Sequence, residues 1–156
     1  MLKMDGEYIV EQDIVTVWNA INDPEILASS LPGCESFELT GDNRYQAICA
    51  LKVGPIKARF KGEAILSDIT PPNGYCLTGH GQGGVAGFAK GVARINLKKS
   101  SPSNTLVTYE VEAQIGGKLA QIGQRLIKGA AVKIADQFFR NLHENLESRG
   151  KNADQT

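Results

Sequence analysis

Apolar and polar residues alternate with a period of two through most of the chain and take up helical spacing only near its two ends. Met4, Gly6, Tyr8 and Val10 alternate with Asp5, Glu7 and Ile9, which predicts a first strand covered mainly on one side. Asp13 is placed to cap a short helix whose apolar positions are Ile14, Val17, Trp18 and Ile21. Asn22-Asp23-Pro24 ends that helix and opens a second, with Ile26, Leu27 and Leu31, which Pro32-Gly33 stops. Segments 34–39, 43–53, 56–69, 75–82, 87–98 and 105–115 then read as strands, separated by GDN, GP, PPNG, GQGGVAG and SSPSN.

Two of these strands fix the sheet type. Ile56, Ala58, Phe60, Gly62, Ala64 and Leu66 face one way, and Lys57, Arg59, Lys61 and Glu63 the other. Val107, Tyr109, Val111, Ala113 and Ile115 repeat the pattern against Thr108, Glu110, Glu112 and Gln114. Such alternation predicts an antiparallel sheet with one face wet and one covered. The cover is a long helix over about residues 117–147, with Leu119, Ile122, Leu126, Ala130, Ile134, Phe138, Leu142 and Leu146 as its apolar stripe. The stripe's mean spacing is nearer 4 than 3.6, so it rotates along the helix, as suits a helix crossing a twisted sheet. The expectation is an α+β fold with a seven-stranded antiparallel sheet around a long C-terminal helix and two short helices after the first strand. A single domain should span residues 1–150, with a polar tail at 151–156.

The covered face is short of bulk. Ala58, Gly62, Ala64, Gly79, Gly81, Ala89, Gly91, Ala93 and Ala113 all point toward the long helix. Interiors do not tolerate large voids, so either the helix sits very close to the sheet or a ligand fills the gap. Glycines alone would fit bulges in a bent sheet, but the alanines have no bending role. A cavity is therefore expected, lined from the sheet by Tyr8, Tyr45, Phe60, Ala64, Gly91, Ala93 and Tyr109. From the helix Ile122, Leu126, Ile127 and Ala130 would line it. Gly91 is expected to leave room for a larger side chain that would partly fill the space.

Composition narrows the function classes. Seventeen basic and seventeen acidic residues balance, which argues against a nucleic-acid binder. The one local imbalance is at GGKLAQIGQRLIK (116–128), since no acidic residue occurs from Ala113 to Ala135. Lys118, Arg125 and Lys128 there make a candidate docking surface, and Gly123 and Gly129 weaken the helix they sit on. Cys34, Cys49 and Cys76 show no CxxC pair, so reduced thiols in a cytoplasmic protein are expected, with no metal site. No signal peptide or membrane span is expected from the apolar runs.

Catalytic groups are scarce. His80 and His143 are the only histidines, and neither a nucleophile elbow nor a zinc-binding HExxH occurs. His80 alternates to the face opposite Gly79 and Gly81. The GHGQGG stretch superficially has the glycine spacing of a phosphate loop, but a strand follows it where a helix N-terminus would be needed. Tyr8, Tyr45 and Tyr109 are the hydroxyls that could reach a ligand.

The opening GEYIVEQDIVTVWNAINDPEILASSLPGCESFE resembles that of the CoxG family of carbon monoxide dehydrogenase subunits, within the START/SRPBCC helix-grip superfamily. VGPIKARFKGEAILSDITPP, GHGQGGVAGFAKGVARINL and GGKLAQIGQRLI resemble it further, in order and spacing, over roughly residues 2–147. The resemblance implies an accessory protein of a carbon monoxide-oxidising molybdenum hydroxylase, associated with membrane attachment of that enzyme. It also implies a hydrophobic cavity able to carry a quinone-like ligand, or by its chemistry a lipid. Some members continue into an anchoring C-terminal extension. Here the chain ends GKNADQT, so peripheral contact with the inner face of the cell membrane is the expectation. The alternative is an enzyme of the polyketide cyclase or hydratase type, which the same superfamily hosts. The lack of Asp, Glu or His on the inner face favours the carrier.

Overall fold

The structure is a computed structural model that describes residues 1–154, with side chains through Arg149. Strand β1 (Leu2–Val10) leads into α1 (Ile14–Ile21) and α2 (Pro24–Ser30). A meander follows: β2 (Cys34–Gly41), β3 (Arg44–Val53), β4 (Ile56–Thr70), β5 (Gly74–Gln82), β6 (Phe88–Ser101) and β7 (Asn104–Gly116). The β5–β6 turn holds a 3-10 turn at Gly84–Ala86. All pairings are antiparallel in the order β1-β7-β6-β5-β4-β3-β2, so β1 closes beside the last strand and β2 is the other edge.

Local chemistry sets the short helices. Asp13 accepts from Thr16 N at 3.3 Å and from Thr16 Oγ1 at 2.5 Å, and the Thr16 side-chain bond holds its carboxyl below the usual value. Asp23 accepts from Glu25 N at 2.9 Å, with Pro24 in the first turn of α2.

The C-terminal helix departs from the expected single span. A short α3 (Lys118–Gln121) is followed by α4 (Gln124–Asp154), and Gly123 between them has φ +93°. A residue in the left-handed region cannot continue an α-helix, so the apolar stripe is broken after Ile122. At the far end α4 continues through Lys151–Asp154, four of the six residues expected as a loose tail; Gln155 and Thr156 lie outside the described residues.

The core is built at one end of the sheet. Val10, Val17, Trp18, Ile21, Leu66, Tyr75, Leu97, Val107, Leu142 and Leu146 form one buried cluster, against which Phe138 and Phe139 pack. Trp18 meets Tyr75 edge-on with ring centroids 5.8 Å apart. Polar bonds fasten α4 to α2 here. Asn141 Nδ2 donates to Ser30 O and Asn145 Nδ2 to the fully buried Ser30 Oγ, each at 3.0 Å.

Candidate ligand chamber and docking edge

Packing changes character along the sheet. On the face toward α4, Leu66, Tyr75, Leu97 and Val107 are buried, but farther along the same strands the small residues are not. Gly62, Ala64, Gly79, Gly81, Ala89, Gly91, Ala93 and Ala113 remain half-buried although they face the helix. The start of α4 does not close over them.

Two hollows border these strands. One, of about 800 Å³, is bordered by Met4, Ala93 and Val111 together with Lys128 and Val132, and equally by outward-pointing residues that include Lys3, Asp5, Arg94, Glu110 and Glu112. The other, of about 710 Å³, runs across β3–β7 and is bordered mostly by outward-pointing residues, among them Glu63, Thr78, His80, Lys90 and Gln114, with Tyr45, Ala64, Gly79 and Gly91 between them. No described residue of α3 or α4 borders that second hollow, which opens mainly on the sheet face turned away from the helix.

An aromatic group separates the packed end from the open one. Tyr8 stacks on Phe139 with centroids 4.3 Å apart, and Tyr109, 8% exposed, lies parallel to Phe139 at 6.3 Å. Burial raises the Tyr109 hydroxyl's pKa, with Asp5 adding to the shift, so it stays protonated as a donor. Tyr45 tilts against Phe37 at 5.3 Å, and burial raises its pKa too.

None of the four helix residues expected at the chamber borders either hollow. Ile127 is buried and Ile122 and Ala130 are half-buried, but Leu126 is 52% exposed. Ile122 and Leu126 hang over the β3–β4 turn, where a Cβ added at Gly54 would meet their Cδ1 atoms at 3.5 and 3.9 Å. Phe60 is half-buried beneath the β5–β6 turn, its ring 2.5 Å from where a Gly83 Cβ would stand.

Gly91 corrects the expectation of free space. A Cβ there would fall 2.1 Å from Glu112 O and 2.8 Å from Ala113 Cα, so this glycine marks close approach of β6 to β7. The double glycine before α3 has the same cause. Gly117 has φ +73°, and its added Cβ would lie 2.6 Å from Gly87 Cα in the β5–β6 turn.

The end of the molecule where these turns meet combines exposed apolar and basic groups. Val85 at the tip of the β5–β6 turn is 86% exposed, and Leu126 and Val132 are exposed on α4. Lys118, Arg125 and Lys128 are all exposed nearby in sequence, and Lys128 borders the hollow that Val132 also lines. Sequence alone does not single out Val85, whose one signal is an apolar side chain within a glycine-rich turn. No helix among the described residues is long and apolar enough to cross a membrane.

Neither histidine borders the hollow that Lys128 and Val132 line. His80 Nε2 stands 3.1 Å from Glu63 Oε2 on the exposed face, and Glu63 also accepts from Gln46 at 2.8 Å. Those two partners, Gln46 foremost, hold the Glu63 carboxyl below its ordinary value. His143 pairs with Glu147 at 3.2 Å, one helical turn on, and Glu11 completes a trio whose ligand atoms lie within 4.8 Å of one another. His143 and Glu147 meet as i, i+4 neighbours on one face of α4, and Glu11 follows the end of β1.

A curved antiparallel sheet gripping a C-terminal helix defines a START-like helix-grip protein. The chain belongs to the CoxG family of carbon monoxide dehydrogenase subunits, whose model matches residues 6–147. Among solved structures, a conserved protein from Geobacillus kaustophilus is similar at 31% identity and TM-score 0.89, covering 94% of this chain and 96% of that one. A START superfamily protein from Mycobacterium smegmatis shares the fold at 12% identity and TM-score 0.72, over 95% and 99% of the two chains. The Zhui aromatase/cyclase from a Streptomyces species does so at 10% identity and TM-score 0.65, over 94% of each. No protein of curated function matches the sequence.

Proposed function

We propose that this protein carries a hydrophobic small molecule, of quinone or lipid type, as an accessory to a molybdenum hydroxylase of the carbon monoxide dehydrogenase kind. The observation that carries the reading is the row of half-buried glycines and alanines facing α4 beside a fully packed core. Family membership supports the partner. The ligand would lie between the sheet and the start of α4, with Tyr8, Tyr45 and Tyr109 supplying hydroxyls for a carbonyl oxygen. Phe60, Ala64, Gly91 and Ala93 from the sheet and Ile122, Leu126, Ile127 and Ala130 from the helix would enclose it.

The edge formed by Val85, Leu126, Lys118, Arg125 and Lys128 is the docking surface in this reading, at the cytoplasmic membrane face or on the partner enzyme. Three cations near an anionic surface, at about 1 kcal/mol each, give weak and salt-sensitive attachment. An enzyme of the cyclase type is the weaker reading, because the strand positions facing α4 from Ile56 to Leu66 and from Ala89 to Leu97 offer no acid or base.

Two measurements test the proposal. Native mass spectrometry of the protein incubated with a short-chain naphthoquinone or benzoquinone, and separately with a phospholipid, should show one bound molecule. Failure of every probe to bind would remove the carrier role. Flotation with anionic vesicles at low salt should be lost in Lys118→Glu/Arg125→Glu/Lys128→Glu. Equal flotation of both proteins would exclude a membrane role for this edge, and loss of partner-enzyme binding in the variant would assign it to protein docking.

A further inference from the structure

We propose that Cys34 and Cys49 are an oxidisable pair in which a peroxide closes a disulfide between β2 and β3 on the sheet face turned toward α4. The two residues are direct partners across the strand pair. Ala50 N–H donates to Gly33 O at 2.8 Å, which makes the adjacent Cys34–Cys49 pair one without mutual ladder bonds. In such a pair the Cα atoms stand about 4.5 Å apart and the side chains are at their closest. Disulfides span Cα separations of roughly 4.4–6.8 Å. The approach is also locked, since Gly33 has φ +67° and its added Cβ would fall 2.0 Å from Ala50 O.

Both thiols are free and half-buried, and Cys34 Sγ donates to Ser36 O at 3.3 Å. Burial, and then the neighbouring Cys34, push the Cys49 thiol up to about 12, so Cys49 is the resolving partner and Cys34 reacts first. The Cys34 thiolate attacks one peroxide oxygen, the O–O bond breaks, and the departing hydroxide takes a proton to become water. Cys49 sulfur then attacks the Cys34 sulfenic acid, the S–S bond forms, and a second water leaves with the thiol proton. Two thiols lose two electrons and one peroxide gains them. Cys76 does not compete: it lies on β5 opposite Ser67 and Arg94, on the sheet face turned away from α4.

The link would matter where it sits. β2 is an edge strand whose register shifts between Cys34 and Ser36, and Cys49 is the partner of Phe60 on the face of β4 toward α4. Oxidation would fasten that edge strand to β3.

The test uses the reduced, folded full chain and a small excess of hydrogen peroxide. Free thiols should fall from three to one, and the intact mass by about 2 Da. Peptide mapping without reductant should find Cys34 joined to Cys49, and dithiothreitol should restore all three thiols. Cys76→Ser should still lose two thiols, whereas Cys34→Ser should form no intrachain link. The wild-type chain alone can overturn the proposal. Three thiols remaining in a chain of unchanged circular dichroism would do so, as would a link to Cys76 or between two chains, or Cys34 oxidised further without a link.

Discussion

Gly91 and Ala93 are two residues apart on β6 and face the same way, yet they should answer differently to an added side chain. The Gly91 Cβ position is occupied by the β7 backbone, whereas Ala93 already projects into the hollow shared with Lys128 and Val132. Gly91→Ala should therefore cost about 2 kcal/mol in urea unfolding through the clash with β7. Ala93→Leu should cost under about 1.5 kcal/mol, because it grows into space, and should weaken binding of a hydrophobic probe by tenfold or more. If Ala93→Leu loses several kcal/mol while probe binding is unchanged, the hollow is not the site. Alternation told which way both residues point. It could not tell an empty place from an occupied one, since a strand glycine serves either purpose and the deciding neighbour is on another strand.

Helix α4 was legible in its apolar spacing but not in its ends or its fastenings. The glycines at 123 and 129 looked alike in sequence, each a weak point in a helical run. They are not alike in structure: Gly123 has φ +93° and ends the helical geometry, while Gly129 sits within α4 with nothing inside 4 Å of an added Cβ. Gly129→Ala should raise stability by about 1 kcal/mol, a gain of about 2–4 °C in Tm. Gly123→Ala should lose about 1–2 kcal/mol, because an L side chain there is strained. Thermal unfolding of both variants checks this, and equal stabilisation by the two would mean that α3 and α4 are one helix in solution. The bonds from Asn141 and Asn145 to Ser30 were invisible beforehand because more than 100 residues separate the partners. Amide and hydroxyl groups are common on helix surfaces, and nothing local marks the ones that find a buried partner.

At the scale of the whole molecule the packed core and the open face divide one continuous sheet. The succession of elements, the sheet type and the two opening helices followed from alternation, caps and turn residues, whereas the pairing of β1 with β7 did not, and the division itself followed only in outline from the run of small residues. It has a dynamic consequence. The Phe138–Leu146 half of α4 is held by the buried cluster and by the bonds to Ser30, while the Gln124–Ala130 part has Gly129, an exposed Leu126 and half-buried strands beneath it. Local opening draws on the least packed elements, so amide exchange should be fastest from Lys118 to Ala130 and slowest from Phe138 to Leu146. A bound hydrophobic molecule would supply the missing contacts, so exchange should slow at α3, at the first turns of α4 and in the Gly83–Gly87 turn that packs on α3. The core half should not change. Hydrogen–deuterium exchange with and without the quinone that binds best in mass spectrometry measures both statements. Uniform protection along α4 in the free protein would mean that the open face is already closed in solution, and protection gained only in the core half would place the ligand elsewhere.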